Sequence, residues 1–328
     1  MEKAPSAPFL SLRKAYGEAL VELGRENPNI VVLEADLGKS TMSCLFKDAF
    51  PDRYFEMGIA EANMASTAAG LALTGKIPFY STFAVFASGR AYDQIRCSIA
   101  IPNANVRICG SSCGLSDFGD GKTHQSIEDA NIIKTIPHIV VLNPCDAVEV
   151  KQMMKTLVTY QGPVYIRINR NDLPVYTSTE GAYKIGKMHT VVVGGDGTHP
   201  TDAVIFATGA MVWKSVKAVE KLAQEGVNVQ VVNVSTLKPL LKEEVLKYIA
   251  GKKAIVTAEE ATKIGGLGAG IAQVILEAVG QTGVPVPFEQ IGIDDEFGTS
   301  AHGYEELLEK YGLSSNHIYN AVKKALKK

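Results

Sequence analysis

Short apolar segments alternate with segments of helical spacing along almost the whole chain, and this alternation limits the folds available to it. Residues 30–33, 77–82, 106–109 and 164–168 are rich in valine, isoleucine and aromatic residues. The segments between them repeat apolar residues every three or four positions, as an amphipathic helix does. Strands joined by helical crossovers lie parallel in one sheet. The sequence therefore predicts an α/β protein with mostly parallel sheets covered by helices on both faces.

The alternation is interrupted once, between residues 171 and 201. Glycine and proline cluster there, at Pro174, Gly181, Gly186, Gly194 and Pro200 among others. A second set of strands and helices follows, and a chain of 328 residues is expected to form two domains. We predict one domain over residues 1–190 and a second over residues 191–328. A β-hairpin inside the interrupting segment remains open from the sequence.

The charge and composition exclude several classes of protein. A formal net charge of −2 gives no reason to expect a nucleic acid or an anionic membrane as a partner. No uncharged apolar run approaches the roughly 20 residues that cross a bilayer. The first eight residues look like a loose tail without the apolar core of a signal peptide, so a cytoplasmic location is expected.

Five cysteines are spread along the chain, at positions 44, 97, 109, 113 and 145. Their number is odd, and no second pair accompanies Cys109 and Cys113 as a zinc site would require. We interpret the five as buried free thiols that act as small apolar side chains. No metal site is predicted in this chain.

Two segments stand out for their chemistry. Residues 53–64 read as a short aromatic strand, a turn at Gly58 and a helix that begins at Glu61. A carboxylate in the first turn of a helix is stabilised by the helix dipole, so Glu61 alone is also explained as an ordinary helix-end residue. Phe83 and Phe86 follow the next strand, and as isolated features they are explained equally well as core aromatics.

The second segment is the glycine-rich stretch of residues 114–125. Glycines allow the backbone to approach a ligand closely, and Asp120 can accept hydrogen bonds from sugar hydroxyls. We predict a helix from about residue 124 to residue 136, capped by Thr123. His124 would then lie at a helix start, which favours a neutral imidazole that can donate or accept a proton.

Two further patterns resemble known ligand-binding motifs, but each lacks one required residue. Gly119-Asp120-Gly121 resembles the start of the magnesium–diphosphate motif of thiamine enzymes, but its only downstream candidate, Asn143, lacks a second amide beside it. Residues 265–270 resemble a dinucleotide loop without the final glycine of Gly-x-Gly-x-x-Gly. We interpret that second pattern as close packing of a helix on a strand.

Taken together, these motifs resemble the transketolase family. The run Arg-Tyr-Phe-x-x-Gly-Ile-Ala-Glu-Ala-Asn-Met at 53–64 is similar to its thiamine diphosphate segment, and residues 120–125 match Asp-Gly-x-Thr-His-Gln. In that family the glutamate, here Glu61, hydrogen-bonds N1′ of the aminopyrimidine and so promotes loss of the thiazolium C2 proton. The resemblance makes Phe86 the residue that stacks on the aminopyrimidine and Phe83 a pocket wall, and it adds Asp36 to the cofactor-binding set. A third aromatic residue of the family is replaced by Gly89.

The resemblance also implies substrate contacts. Asp120 would bind a hydroxyl of the donor sugar, and His124 would lie beside the reacting carbon. Four positions correspond to those of the family's phosphate clamp, in which guanidinium groups make charge-assisted contacts with a phosphate, and three of the four residues match. At the position of Ser112 the family carries a phosphate-binding histidine, so the resemblance leaves open whether the acceptor is phosphorylated. These positions are Arg13, Ser40, Ser112 and Arg170.

The resemblance covers only the second half of a transketolase, namely the pyrimidine-binding and C-terminal domains. The domain that holds the diphosphate and its Mg²⁺ or Ca²⁺ is expected on a separately encoded N-terminal subunit. Self-association of this chain would form the core of a heterotetramer with two copies of each subunit. The expected reaction is transfer of a two-carbon ketol unit from a ketose to an aldose, either of which can carry a phosphate.

Three other interpretations remain open from the sequence. A 1-deoxyxylulose-5-phosphate synthase shares the Gly-Ile-Ala-Glu and Thr-His-Gln motifs, although it is normally a single chain. The beta subunit of a 2-oxoacid dehydrogenase has a similar length but is not expected to carry the motif around Asp120. A non-catalytic assembly subunit is a third class, which the presence of Glu61, Phe86 and His124 disfavours.

Overall fold

The structure is a computed structural model and describes residues 7–194, 201–282 and 286–327. Strands and helices alternate in it as the sequence predicts. The strands are β1 (Phe9–Ser11), β2 (Ile30–Glu34), β3 (Tyr54–Glu56), β4 (Ile77–Phe83), β5 (Arg107–Ser111), β6 (Val140–Leu142), β7 (Val164–Ile168), β8 (Asp172–Pro174), β9 (His189–Val193), β10 (Ala203–Ala207), β11 (Val229–Asn233), β12 (Thr236–Lys238), β13 (Ala254–Thr262) and β14 (Phe288–Ile293). The helices are α1 (Leu12–Glu26), α2 (Gly38–Thr41), α3 (Cys44–Ala49), α4 (Glu61–Leu73), α5 (Ala84–Gly89), α6 (Tyr92–Gln94, continued by a π-helical turn over Ile95–Ala100), α7 (Asp129–Lys134), α8 (Ala147–Thr159), α9 (Met211–Gln224), α10 (Lys242–Ile249), α11 (Leu267–Thr282), α12 (Tyr304–Lys310) and α13 (Ser315–Lys327).

The first sheet has the strand order β12-β6-β7-β5-β4-β2-β3. Every neighbouring pair is parallel except β12 against β6. Its central strands are buried along their whole length, as expected for a sheet covered on both faces. The border strand β12 comes from the second half of the chain, so the two halves are interleaved.

The second sheet has the order β14-β13-β10-β11-β9, with only β9 antiparallel. Two mixed, mostly parallel sheets with helices on both faces confirm the predicted fold class. The predicted boundary at residue 190 falls within β9 and stays a prediction. The described part of residues 171–201 forms no hairpin, because β8 pairs with β1 and β9 pairs with β11. Residues 195–200, with Gly195, Gly197 and Pro200, and residues 1–6 of the predicted tail lie outside the described residues.

Apolar side chains fill the space on both faces of each sheet. Helices α1 and α8 cover one face of the first sheet through Tyr16, Leu20 and Val150. Helix α4 covers the other face, and its core also contains residues of the second sheet such as Val232. One continuous apolar core therefore joins the two sheets, and a separate core lies between the second sheet and helices α9, α12 and α13.

The predicted helix from residue 124 to residue 136 is wrong in its first half. A single 3₁₀ turn spans Gly121–Thr123, and α7 begins only at Asp129. The buried guanidinium of Arg167 binds both oxygens of Asp129, at 2.8 and 2.9 Å, and Tyr165 donates to the same carboxylate at 2.8 Å. This fixes Asp129 in the first turn. His124 is consequently not at a helix start, and Thr123 is not a helix cap.

Ser40 and Thr41 end the short helix α2, and the Thr41 hydroxyl is bound to the buried Glu34 carboxylate at 2.7 Å. The expectation that all five cysteines are buried is corrected by the fold. Cys109, Cys113 and Cys145 are buried free thiols, whereas Cys44 is half-buried. Cys97 is exposed because it lies on the helical face opposite Ile95 and Ile99.

The described residues include no helix that combines the length and the apolar character needed to cross a bilayer. The same residues contain no cluster of three or more histidine, cysteine or acidic side chains arranged to hold a metal ion.

Candidate active site

The predicted site residues follow the carboxyl ends of five neighbouring strands. Because parallel strands all end at the same edge, residues far apart in the chain meet there, which is where open α/β sheets bind ligands. The strands are β7, β5, β4, β2 and β3, in their order across the sheet. The residues that follow them, in the same order, are Arg170, then Asp120 and His124, then Phe83 and Phe86, then Asp36, and finally Glu61.

Glu61 lies in the first turn of α4, after a turn that requires a glycine. Gly58 has φ of +68°, a conformation that costs a side chain-bearing residue energy. The helix then packs on the sheet through Met64, Ala65 and Ala68, which fixes the direction of its first turn. Glu61 is only 3% exposed, and its Oε1 accepts a hydrogen bond from Nη1 of Arg90 at 2.9 Å. The site therefore contains a buried carboxylate paired with a half-exposed guanidinium.

Two phenylalanines and a histidine form an aromatic cluster beside Glu61. Phe83 ends β4 and is buried, while Phe86 in α5 is half-buried. Their ring centroids are 6.2 Å apart with planes 21° from parallel. The His124 imidazole stands edge-on to both, with its centroid 5.4 Å from that of Phe86 and 6.1 Å from that of Phe83. The structure thus brings together the two aromatic residues and the histidine selected from the sequence.

The loop that carries His124 is held by the second domain. Gln125 Nε2 donates to the carbonyl of Thr299 at 3.0 Å, and Ala301 N donates to Phe118 O at 2.9 Å. On the other side, Gly114 and Ser126 exchange two backbone hydrogen bonds. These contacts fix the backbone on both sides of His124, in place of the predicted helix.

The loop after β2 carries Asp36 and is supported from below by a buried carboxylate. Asp36 is exposed, has φ of +61°, and donates its backbone N–H to Glu56 Oε1 at 2.7 Å. Glu34 beneath it accepts hydrogen bonds from the hydroxyls of Thr41 and Ser43, at 2.7 and 2.5 Å. Burial raises the pKa of Glu34 to about 7 despite these hydrogen bonds.

Three of the four predicted clamp residues lie together. Arg13 Nη1 donates to the backbone carbonyl of Ser40 at 2.8 Å, and its Nε donates to that of Arg170 at 3.1 Å. Burial and then the nearby Arg170 charge lower the pKa of Arg13. The fourth residue, Ser112, is fully buried with φ of +54°, and its hydroxyl does not reach the surface of the crevice. Its substrate contact stays a prediction.

Two aspartates share this end of the site. Asp120, which the sequence selects, is exposed. Asp117, which it does not select, is 2% exposed and lies 3.0 Å from Nη1 of Arg170 through its Oδ2. Burial raises the pKa of Asp117, the Arg170 charge opposes this, and nearby Asp120 adds to it. The positive charge of the predicted clamp is therefore partly neutralised from within the chain.

Sequence reasoning missed Arg90, Asp117 and Glu260. Glu260 of β13 accepts hydrogen bonds from Leu115 N at 2.7 Å and from the Tyr304 hydroxyl at 2.7 Å. Through these hydrogen bonds Glu260 joins the second domain to the substrate loop. Burial raises the pKa of this carboxyl group to about 7. A charged residue immediately after the glycine that replaces the third aromatic was a usable signal for Arg90. Glu260 had no such local signal.

The glycine-rich segment 265–270, which resembles a dinucleotide loop, binds a carboxylate of the chain itself. The backbone N–H groups of Leu267 and Gly268, at the start of α11, donate to the Glu259 carboxylate at 2.7 and 2.9 Å. A Cβ on Gly266 would overlap that carboxylate, and one on Gly268 would come within 2.7 Å of Thr257 Oγ1. Close packing of helix on strand accounts for these glycines.

The chemistry of the cluster fits the pyrimidine end of thiamine diphosphate. A planar heteroaromatic group needs an apolar face to stack on and a carboxyl group at its edge. Phe86 offers a half-buried ring face, and Glu61 offers the carboxylate beside it. The diphosphate end requires a metal and its ligands, and no acidic or histidine cluster of that kind occurs in the described residues.

Comparison with known proteins agrees with this arrangement. Residues 9–175 match the model of the transketolase pyrimidine-binding domain, and residues 198–318 match that of the transketolase C-terminal domain. A putative transketolase C-terminal section of Methanocaldococcus jannaschii is 40% identical over 98% of both chains. The 6-deoxy-6-sulfo-D-fructose transketolase subunit SqwH of Clostridium sp. is 38% identical over 95% of this chain and 93% of its own.

A solved structure described as an inactive beta4 tetramer of a split-gene transketolase superposes with a TM-score of 0.84. It is 41% identical and covers 98% of this chain and 99% of its own. The chain belongs to the transketolase family. Within that family it resembles C-terminal sections over nearly their whole length, so the synthase and the dehydrogenase beta subunit are not favoured.

Proposed function

We propose that this chain is the C-terminal subunit of a split thiamine diphosphate-dependent transketolase, which transfers a two-carbon ketol unit from a ketose to an aldose. One observation carries the proposal. The ring centroids of Phe86 and His124 are 5.4 Å apart, and the Arg90 guanidinium that binds Glu61 also covers the Phe86 ring. The proposed cofactor residues Phe86 and Glu61 and the proposed substrate residue His124 therefore share one crevice. Matches to split transketolase sections support the assignment.

Glu61, Phe86, Phe83 and Asp36 would hold the pyrimidine end of thiamine diphosphate. When bound, the cofactor supplies the carbon nucleophile that adds to a sugar carbonyl and stabilises the resulting charge. Glu61 would hold a proton at N1′ of the pyrimidine, and Phe86 would orient the ring by stacking. The diphosphate and its Mg²⁺ or Ca²⁺ are assigned to the separate N-terminal subunit.

The substrate would lie between the aromatic cluster and the arginines. Asp120 is exposed, so its carboxylate can accept hydrogen bonds from donor hydroxyls. His124 would transfer protons to and from the sugar oxygens at the reacting carbons. Arg13, Ser40 and Arg170 would bind the distal end of the sugar. This suits an anionic group, because the Arg170 charge lies close enough to Arg13 to lower its pKa.

Activity would require the assembled enzyme. A related chain, 41% identical, is described as an inactive beta4 tetramer, which supports the view that a C-terminal subunit assembles without its partner but does not turn over. We propose a heterotetramer with two copies of each subunit, located in the cytoplasm. A role in the pentose phosphate pathway is the simplest metabolic assignment.

The test is reconstitution. The chain is purified alone and, separately, by copurification with the N-terminal subunit that it captures from its own cells, and both samples are assayed with xylulose 5-phosphate or pyruvate as donor. We expect no turnover by the isolated chain and transfer from xylulose 5-phosphate by the complex. Robust turnover by the isolated chain, or a preference of the complex for pyruvate, would contradict the proposal.

A further inference from the structure

The Glu61 carboxylate cannot be reached unless the Arg90 side chain moves. Glu61 is 3% exposed, whereas the Arg90 side chain is 50% exposed and donates from Nη1 to Glu61 Oε1 at 2.9 Å. Arg90 follows α5 directly, and the neighbouring Gly89 has no heavy atom within 4 Å of an added Cβ. The solvent-facing member of the ion pair therefore lies in open surroundings at the end of a short helix.

The same guanidinium also covers the ring of Phe86. Its central carbon is 4.0 Å from the ring centroid, which is a stacking distance for a planar cation on an aromatic face. One planar nitrogen-bearing group thus makes two contacts at once, an N–H to Glu61 along its edge and a stack on Phe86 with its face. The proposed function assigns the same two contacts to the aminopyrimidine, whose N1′ meets Glu61 and whose face meets Phe86.

We propose that Arg90 occupies the place of the aminopyrimidine in the cofactor-free subunit and is displaced when the cofactor is loaded. The inference rests on the proposed function. Arg90 is a positioning residue in this account, because it keeps the Glu61 carboxylate turned toward the crevice and the Phe86 face covered until the cofactor exchanges with it. The two groups cannot share the volume between Glu61 and Phe86.

Exchange of this kind lowers the observed affinity for the cofactor. Only the fraction of molecules in which Arg90 has left the crevice can bind, so the measured dissociation constant is the intrinsic one divided by that fraction. The contacts are those of a half-exposed arginine, so the effect is modest. Removal of the side chain should tighten binding by roughly three- to tenfold.

The test compares thiamine diphosphate binding by the assembled complex in four forms, by isothermal titration calorimetry. These are the wild type, Arg90→Ala, Arg90→Lys and the control Arg96→Ala, which removes an exposed arginine of the following helical turn. We expect a dissociation constant roughly three- to tenfold lower for Arg90→Ala, an intermediate value for Arg90→Lys, which keeps the charge without the planar face, and no change for Arg96→Ala. A residue that only supports the fold would not tighten binding when removed.

A second measurement reports directly on the displacement. A crystal structure of the cofactor-loaded complex should place the Arg90 guanidinium outside the space between Glu61 and Phe86. Weaker or unchanged binding by Arg90→Ala, or a guanidinium still stacked on Phe86 beside bound cofactor, overturns the inference alone. A wild-type complex that binds no thiamine diphosphate overturns the proposed function and this inference together.

Discussion

Asp117 Oδ2 lies 3.0 Å from Nη1 of Arg170, and this ion pair places a negative charge inside the group of residues assigned to the distal end of the sugar. Asp117 is 2% exposed, so its carboxylate is poorly screened by water. The Arg170 guanidinium carbon also lies 5.8 Å from the Phe83 ring centroid, which connects the pair to the aromatic cluster. An incoming anion must therefore compete with Asp117 for Arg170.

Replacement of Asp117 by asparagine should strengthen binding of phosphorylated acceptors, because the asparagine keeps the shape of the side chain and removes the competing charge. We expect KM for ribose 5-phosphate to fall by roughly three- to tenfold in the reconstituted enzyme, and KM for ribose to stay the same. The exposed Asp52, replaced by asparagine, is the matched control. An equal change for both sugars would show that Asp117 does not act through the anion.

Replacement of Glu61 by glutamine should remove most of the activity of the complex while leaving the fold intact. Proton transfer by a positioned side chain contributes about 10²- to 10⁴-fold to a rate, so a loss of at least roughly 100-fold is expected. The lost ion pair reaches a half-exposed arginine, and the free energy of unfolding should change by less than about 1 kcal/mol. Activity within a few-fold of the wild type would refute the assigned role. Glu18→Gln, which alters a surface ion pair with Lys151, is the control.

Glu260 should make the stability of the chain depend on pH in a defined direction. Burial raises its pKa from 4.5 to about 7, so the folded state favours the protonated carboxyl group. The stability that this preference contributes is fully present below about pH 4.5 and is lost as the pH rises to about 7. This rise in the pKa of Glu260 corresponds to a contribution of at most about 3 kcal/mol to the free energy of unfolding. The free energy of unfolding of Glu260→Gln minus that of the wild type should therefore increase between pH 5 and pH 8 in urea denaturation. A difference that is constant or decreases would contradict this cause.

Gly121 should not tolerate a side chain, because the substrate loop and the second domain meet there. Its φ is +75°, and a Cβ would overlap Ser300 Oγ and lie 3.0 Å from Ser300 N. Gly121→Ala should lower the free energy of unfolding by about 1–3 kcal/mol and raise KM for the donor. Gly119→Ala is the matched control, because a Cβ at Gly119 has no heavy atom within 4 Å. The free energy of unfolding of this control should stay within about 0.5 kcal/mol of the wild-type value. Equal losses of stability would argue against the steric explanation.

Local pattern and strand order determine which of the predicted residues meet at one edge of the sheet, and this arrangement was accessible from the sequence. Phe83 ends a parallel strand, Glu61 and His124 lie beyond the ends of two others, and parallel strands bring such residues to one edge. The prediction of a helix from residue 124 was wrong because the observed start at Asp129 is fixed by Arg167 and Tyr165 of β7. Contacts with a distant strand cannot be read from local helical spacing. Asp117 and Glu260 act through contacts with groups distant in the chain, so neither their neighbours nor their spacing revealed them. Arg90 had a local signal, because it directly follows Gly89.

Strand β12 has a practical consequence for work on the separate halves. It is drawn from the second half of the chain, yet it borders the first sheet beside β6. Truncation after residue 190 would leave β6 paired with β7 on one side only, and the freed edge of this apolar strand would be a template for aggregation. Fragments of that kind should be insoluble for reasons unrelated to catalysis, and only a fragment that restores the missing border would be useful for dissecting the enzyme.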